Sequence, residues 1–325
     1  NGGLVTWIRH GTLTAWGPSV FSDTYQLYFL QWLFADNVIH GQSVLKNILE
    51  FASLNPTGAN SLGLWSFPLP MMFAVLKPFG DVVAYNLLTV LSYVVTGCSA
   101  YLAIRVITKS SWAGIIGGTY YAVAPIRVGQ MYSGHANGFL FFLLPLLVYG
   151  LFRSVRSRSM GWSITSGLIW SVFAVGEWHM AYYSLVPLVA IAFFLYRFEK
   201  MDGAHSWRLH LVGVLLGLLP GLMYLLFFQM PMIRNSTQSA GRSLAEVSYF
   251  SPTIQDLLTR PEASVPLNIE RFVYIGWSVV LFVAGGLFLA FWRPRIAPSQ
   301  TDRRRIFFFS GLFGLTTCIA LGMSN

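Results

Sequence analysis

The sequence predicts an all-α fold, a polytopic bundle of about eight transmembrane helices, and three observations support this class. Charged residues make up only 10% of the chain and hydrophobic residues 55%, whereas soluble domains carry roughly 25% charged residues. The apolar residues form repeated blocks, close to the roughly 17–25 residues that a helix needs to cross a bilayer. Many of the 11 tryptophans stand near block ends, which is typical of an interfacial aromatic belt.

Residues 1–82 are predicted to be an outer loop with two non-spanning helices. Residues 22–41 are expected to form an amphipathic helix, with Ser22 as its N-cap and Asp23 in its first turn. The apolar positions at helical spacing are Leu27, Leu30, Phe34 and Val38. Residues 66–80 are apolar but contain several prolines, so they are predicted to form a re-entrant helix.

The rest of the chain is predicted to contain transmembrane helices at 83–229, an outer loop at 230–269, and transmembrane helices at 270–325. The candidate spans lie at about 83–104, 112–126, 137–152, 161–176, 179–196, 210–229, 270–291 and 306–322. Because the chain begins at Asn1 and stops just after an apolar block, we expect a preceding helix and further C-terminal sequence in the complete protein.

The distribution of Lys and Arg predicts the orientation of the helices. Most of the 21 basic residues fall in alternate loops, namely Arg105, Lys109, Arg153, Arg156, Arg158, Arg197, Lys200, Arg208, Arg293, Arg295, Arg303, Arg304 and Arg305. These loops are predicted to be cytoplasmic in a multi-pass plasma-membrane protein, with segments 1–82 and 230–269 on the outer side. The net charge of +9 is then explained by orientation and by contact with anionic membrane lipid, and not by a nucleic-acid partner.

Sequence motifs for nucleotide or zinc binding are absent from the printed chain. Cys98 and Cys318 each lie within an apolar block and are interpreted as small buried hydrophobic residues. The Gly-Gly pairs at 117–118 and 285–286 are predicted to allow close packing of helices.

Polar residues at the predicted outer ends of helices are the candidates for a functional site, because a charge within the bilayer costs about 2.5–3.5 kcal/mol on insertion scales. Asp23 is one candidate, and the alternative is an acid favoured by the helix dipole. Glu177 and His179 lie between two apolar helices with almost no loop. They are candidates for general acid/base catalysis or metal ligation, and the alternative is a polar turn at the water interface.

Two further segments supply candidate substrate-binding residues. Arg127 and His135 flank a Gly-rich turn, and an arginine suits bidentate contact with phosphate, unless it simply extends to the interface. The outer loop 230–269 is long for a structureless connection, and such loops are often functional. Its candidates are Arg234, Arg242 and Tyr249, for which solvated side chains are the alternative. All these places fall on one predicted side of the membrane.

The chain resembles the GT-C superfamily of integral-membrane glycosyltransferases in the order of its elements. The segments that show this resemblance are FSDTYQLYFLQWLFADNVIHG, PLPMMFAVLKPFG, NLLTVLSYVVTGCSAYLAIRVI, IIGGTYYAVAPIRVGQMYSGHANGFLFFLLPLLVYGLFR, RSLAEVSYFSPTIQDLLTRP and RFVYIGWSVVLFVAGGLFL. The chain is most similar to bacterial and archaeal branches of the superfamily. The likeness covers most of the chain, as a pattern of elements with few fixed residues.

The resemblance implies inverting transfer of a sugar from a polyprenyl-phosphate-linked donor to an acceptor on the outer face, as in the glycosylation of cell-envelope components. Asp23 matches the first-loop acid that acts in the family as general base or metal-organising residue. Some branches have a second acid near the positions where this chain has His135 and Asn137. Glu177 is the candidate substitute for it, and participation of a divalent metal, Mg²⁺ or Mn²⁺, is left open.

Two other functions remain as alternatives. The departure at the second acid favours a non-catalytic membrane subunit with a GT-C-like fold, which would associate with a protein partner. A secondary transporter is the other alternative, although the chain shows no matched pair of broken helices and its polar residues cluster at the outer ends.

Overall fold

The computed structural model describes residues 23–41, 66–132, 134–198, 204–230, 253, 255–256, 277–292 and 304–312. Over these ranges the chain is almost wholly helical, with short turns and no strand. The predicted all-α fold is therefore confirmed for the part of the chain that the structure describes.

The helices are numbered in chain order. They are α1 (Asp23–Ile39), α2 (Leu69–Leu76), α3 (Asp81–Thr108), α4 (Ser111–Ala122), α5 (Pro125–Tyr132), α6 (Ala136–Leu140), α7 (Leu143–Ser157), α8 (Met160–Gly176), α9 (Trp178–Phe198), α10 (Ala204–Tyr224) and α11 (Trp277–Trp292). A 3-10 turn, Lys77–Phe79, follows α2, and a π-helical turn, Leu225–Gln229, follows α10. Residues 304–312 form a further helical segment.

Three helical stretches are long and apolar enough to cross a membrane. They are Asp81–Thr108, Ala136–Ser157 and Trp207–Phe227. The predicted spans at 161–176 and 179–196 correspond to shorter apolar helices, Met160–Gly176 and Met180–Leu195. At a rise of about 1.5 Å per residue these apolar stretches fall short of a hydrocarbon core of about 30 Å, although the whole of α9, Trp178–Phe198, is 21 residues long. The coarser prediction, a membrane protein built of helices, therefore stands on three stretches among the described residues.

The buried face of α1 agrees only in part with the stripe that its large apolar residues predict, in which Leu27 and Phe34 are 0% and 9% exposed. Leu27, Gln31 and Ala35 are each 0% exposed, whereas Val38 is 39% exposed. α1 packs along α2, and Tyr28 makes an edge contact with Phe73, with ring centroids 6.0 Å apart. The i, i+4, i+8 row formed by Leu27, Gln31 and Ala35 faces inward, and it includes a buried polar side chain, Gln31.

A salt bridge closes the contact between α1 and the turn after α2. Lys77 Nζ donates to Asp36 Oδ1 at 2.8 Å and lies 4.6 Å from the centroid of the Trp32 ring. The hydrogen bond from Lys77, together with its charge and that of His40, holds the pKa of Asp36 below its ordinary value. Because the folded pKa is lowered, the pair stabilises the fold above the unfolded pKa of about 3.9, and this contribution is lost as the pH falls through the folded pKa.

We expect acidification to loosen this contact through Asp36. The measurement is the difference in fluorescence between the wild-type protein and Trp32→Phe, followed as the pH is lowered below about 4. The Lys77→Met variant should lose the acid transition of Trp32, because its Asp36 has no ammonium partner. The effect should be modest, since an exposed ion pair contributes little. An identical transition in Lys77→Met would contradict the assignment.

One hydrophobic core joins eight of the described helices, α1 to α3 and α5 to α9. Its buried residues are Leu27, Ala35, Leu69, Phe73, Ala84, Tyr85, Leu88, Met131, Ala136, Phe139, Leu140, Leu143, Leu147, Trp170, Phe173, Ala174 and Ala181. Ring contacts run from Tyr28 to Tyr85 and on to Phe139, with centroid separations of 5.6 and 5.9 Å. The helices α1, α2 and α6 are thus packed on the same core as the apolar helices α3, α7 and α8.

Small residues bring α8 and α10 into backbone contact. A Cβ on Gly167 would overlap the carbonyl oxygen of Val214, one on Gly217 would overlap that of Ile164, and one on Gly221 would lie 2.7 Å from Ser171 Cα. Ser171 Oγ donates to the Gly217 carbonyl at 2.7 Å. Close approach of small residues and interhelical hydrogen bonds are the usual means of helix association in lipid, where apolar burial between helices gives little driving force.

The Gly-Gly pairs were predicted to allow close packing of helices, and the structure shows such packing at the pair 117–118. A Cβ on Gly118 would lie 2.7 Å from the Gly97 carbonyl oxygen, so this residue sets the distance between α3 and α4. Gly285 and Gly286 have nothing within 4 Å of such a Cβ among the residues described.

Basic side chains gather at one end of α3. Arg156 donates to the Val106 carbonyl, and Arg305 Nη1 donates to the Ile107 carbonyl at 3.0 Å. The last carbonyls of a helix have no partner within the helix, and cations near a C-terminus interact favourably with its dipole. Two loops that the sequence assigns to the same side therefore meet at this helix end.

Candidate functional site

The Gly176–Glu177 junction forms an abrupt turn between α8 and α9. The Glu177 N–H donates to the Phe173 carbonyl at 2.8 Å, and the Glu177 carbonyl accepts from the Ala181 N–H at 3.2 Å. The backbone of Glu177 is extended, with φ −155° and ψ 82°, so that one residue separates two helices. Glu177 is only 6% exposed, so the predicted polar turn at the water interface is in fact largely enclosed by protein.

A second turn lies directly against this junction. The Ser66 N–H donates to the Gly176 carbonyl at 2.8 Å. A Cβ on Gly176 would overlap the Phe67 carbonyl oxygen and would lie 3.1 Å from Leu140 Cδ1. Glycine is required here by space, because the backbone of the chain preceding α2 approaches the backbone at the end of α8. Glu177 is thereby placed beside the segment that leads into α2.

Asp23 is the first residue of α1, and its side chain lies outside the described part of the structure. Leu27, one turn later, is 0% exposed and belongs to the core that also contains Ala174 and Ala181. These two alanines stand three residues before and four residues after Glu177. The start of α1 and the Gly176–Glu177 junction are therefore anchored on one core, although they are far apart in sequence.

Arg127 is completely buried, with 0% exposure. Its Nη1 donates to the Ala122 carbonyl at 2.6 Å, its Nη2 donates to Ser92 Oγ at 2.5 Å, and its guanidinium carbon lies 4.4 Å from the centroid of the Tyr93 ring. The side chain therefore does not extend to an interface. It ties α3 to the turn between α4 and α5, and its Nη1 and Nη2 atoms donate to protein groups.

His135 forms the turn between α5 and α6. Its ring Nδ1 is hydrogen-bonded to Gln130 Oε1, and its N–H donates to the Gln130 carbonyl at 3.0 Å. Gly134, before it, has φ 80°, a left-handed conformation that favours glycine. The Gly-rich turn predicted between Arg127 and His135 thus exists, and it holds the His135 ring against α5.

The remaining predicted residues fall outside the described residues. Arg234, Arg242 and Tyr249 belong to ranges that the structure does not describe, and so does the side chain of His179. Asp256 is described, and its Oδ2 accepts from the Thr253 N–H and Oγ1 at 2.7 and 2.8 Å. Within the described ranges no group of three His, Cys, Asp or Glu side chains could hold a metal ion, so no step is assigned to a metal.

Three described residues with buried polar side-chain atoms are not indicated as functional by the sequence. Gln31, with both amide atoms, Ser66, with its hydroxyl, and Asn137, with Oδ1, have no hydrogen-bond partner among the residues that the structure places. The sequence does indicate that Gln31 is buried, because it stands four residues from both Leu27 and Ala35 on the same helix face. No comparable signal marks Ser66, because its burial depends on the contact with Gly176.

Three apolar helical stretches of spanning length among the described residues indicate a membrane protein built of helices. The chain belongs to the family described as domain of unknown function DUF6311, which matches residues 53–324. Glu177, Arg127 and Ser66 lie within the matched region, and Asp23 precedes it. No curated protein and no solved structure matches the chain.

Proposed function

We propose that the chain is a multi-pass plasma-membrane glycosyltransferase of GT-C type, with about eight spans and its site on the outer side. It transfers a sugar from a polyprenyl-phosphate-linked donor to an acceptor hydroxyl. The observation that supports this function best is that Leu27, one turn after Asp23, belongs to the same hydrophobic core as Ala174 and Ala181, which stand on either side of Glu177. Two carboxylates at a site protected from water are the catalytic groups that such a transfer requires.

The reaction assigns one role to each carboxylate. Asp23 accepts the proton of the acceptor hydroxyl while the acceptor oxygen forms a bond to the anomeric carbon. The bond from the anomeric carbon to the phosphate oxygen breaks, and its electron pair leaves with the lipid phosphate. Because attack is from the face opposite the phosphate, configuration at the anomeric carbon inverts. Glu177 stabilises the oxocarbenium-like transition state by its charge, with His179 in support.

The departing phosphate needs a cationic partner. Arg127 donates to Ala122 and Ser92, so a phosphate would have to displace protein acceptors in order to reach it. We therefore assign the phosphate contact first to Arg242, with Arg127, Arg234, His135 and Tyr249 as further candidates for binding the donor.

Asp23→Asn tests this function. We expect sugar transfer by the purified, reconstituted protein to fall by about 10²–10⁴-fold, because the amide cannot accept the proton of the acceptor. The matched control is Asp36→Asn on the same helix, which removes the carboxylate that pairs with Lys77 and should leave transfer close to the wild-type rate. Equal transfer by Asp23→Asn and the wild type, in protein of equal thermal stability, would rule out the proposed general base.

One observation favours the second candidate function, a non-catalytic subunit. The arginine that best suits a phosphate clamp is fully buried and bound by protein groups, as expected of a structural residue. The subunit hypothesis predicts a partner protein that copurifies in fixed stoichiometry. It also predicts that Asp23→Asn leaves the activity of that complex unchanged.

A further inference from the structure

The apolar helix Leu69–Phe79, which is α2 with the turn after it, carries apolar side chains on two opposite sides. One side packs on the common core through Leu69 and Phe73, which are 1% and 0% exposed. The other side carries Met71, Val75 and Phe79, which are 43%, 74% and 68% exposed. These three residues recur at intervals of four and are called the α2 stripe. A row of large apolar side chains on the surface marks a place that contacts a partner or a lipid.

The α2 stripe is not accompanied by charge on its own helix. Lys77 is the only charged residue between positions 66 and 80. Its Nζ donates to Asp36 Oδ1 at 2.8 Å and lies 4.6 Å from the centroid of the Trp32 ring, and its side chain is only 14% exposed. The ammonium group is therefore directed to α1 and neutralised there. A helix that is apolar on all sides is buried in protein or in lipid.

The surface of a spanning helix begins directly beside the α2 stripe. α3 starts at Asp81, two residues after Phe79, and packs against α2. It is long and apolar enough to cross a membrane, and its exposed side chains include Val82 in the first turn and Val94 further along, at 37% and 55%. Apolar side chains exposed on a spanning helix contact acyl chains. The α2 stripe thus adjoins a surface that faces lipid.

The length of α3 indicates the depth of the α2 stripe. Its 28 residues extend about 42 Å, whereas the hydrocarbon core is about 30 Å thick. With Arg105, in the last turn, at one interface, the core ends roughly 20 residues earlier, near Tyr85. The start of α3 and the adjoining α2 then lie at the opposite headgroup boundary. Tryptophan and lysine side chains such as Trp32 and Lys77 are favoured at this depth.

We propose that the α2 stripe inserts into the bilayer and contacts the acyl chains of the leaflet nearest the start of α3. The helix Leu69–Phe79 is about 16 Å long and does not cross the core. It is an interfacial helix, with one side on the protein core and the other about 5–10 Å into the boundary between headgroups and acyl chains. This contact holds α1 and α2 at the membrane surface, and it does not depend on sugar transfer.

The test uses single-cysteine variants of the full chain in lipid nanodiscs, each labelled with the fluorophore NBD. The two native cysteines are first replaced by alanine. Val75→Cys and Phe79→Cys report on the α2 stripe. Val94→Cys and Lys109→Cys are the matched controls, because both positions are exposed on α3, one within the span and one at its C-terminal end. Quenching is measured with nitroxide-labelled acyl chains and with aqueous iodide, in variants that keep the melting temperature of the parent.

We expect the labels on Val75→Cys and Phe79→Cys to behave like the label on Val94→Cys. Their emission should shift to the blue, acyl-chain nitroxides should quench it, and quenching by iodide should be lost. Iodide quenching as strong as in Lys109→Cys would place the α2 stripe in water and overturn the proposal. Quenching by neither agent would show that another part of the protein covers the stripe, which overturns it equally. No donor or acceptor is present, so a failure of the proposed sugar transfer would leave this result unchanged.

Discussion

Gly176→Ala is expected to destabilise the protein and to abolish most of the proposed sugar transfer, although it adds only one methyl group. The new Cβ would overlap the Phe67 carbonyl oxygen, and both groups are backbone-fixed, so α8 and the chain before α2 must separate. Overpacking of this kind costs about 1–3 kcal/mol. The same separation moves Glu177, and a displacement of about 1 Å at a catalytic group can lower a rate 10²-fold.

The control for this variant lies on the same helix. A Cβ on Gly161 would meet only Ser159 Oγ, at 3.5 Å, which is ordinary contact. Alanine has a higher helix propensity than glycine by about 1 kcal/mol, so Gly161→Ala should be neutral or stabilising. Melting temperature and sugar transfer of both variants are to be measured in the same nanodiscs. A Gly176→Ala protein that is as stable and active as Gly161→Ala would show that the two turns are not in contact.

Much of the helical organisation could be predicted from the sequence. Apolar block length and proline content place α2 within 66–80 and α8 within a block ending at Gly176, because both signals are local. The lengths of the helices were harder to predict. Residues 112–126 form a helix that ends at Ala122, followed by a second helix from Pro125, because proline disfavours helical conformation in the residue before it.

The candidate site could be predicted only in part. The sequence predicts Glu177 as a candidate because an acidic residue between two apolar blocks is conspicuous. Its burial could not be predicted, because it depends on Ser66 and Phe67, which are more than 100 positions earlier in the chain. The hydrogen bonds that Arg127 donates to protein groups could not be predicted, for a similar reason. Its partner Ser92 is 35 residues away, and an apolar helix that carries two serines, Ser92 and Ser99, gives no indication of which neighbour either serine will face.

Arg127 also shows how the structural and functional hypotheses can be separated. A phosphate clamp should affect recognition of the donor and leave the free protein stable. A buried residue that links helices should affect the folded state itself. The contacts with Ala122, Ser92 and Tyr93 favour the second role, and substitution by residues that keep either the length or the charge of the side chain tests it.

Arg127→Met is expected to lower the free energy of unfolding by roughly 2–4 kcal/mol. The orphaned Ala122 carbonyl costs about 1–3 kcal/mol, and the desolvated contact with the Tyr93 ring contributes up to about 2 kcal/mol. Arg127→Lys should recover only part of this loss, because an ammonium does not reproduce the planar fork that reaches both Ala122 and Ser92.

The exposed Arg105, which donates to the Tyr101 hydroxyl, provides the control, and Arg105→Met should change stability by no more than about 0.5 kcal/mol. Unfolding is to be followed in detergent without any lipid phosphate present. A stable Arg127→Met protein with a raised KM for the polyprenyl-phosphate-linked sugar would reverse the assignment and make Arg127 a ligand of the donor, whereas a loss of stability in the absence of donor would leave that role to Arg242.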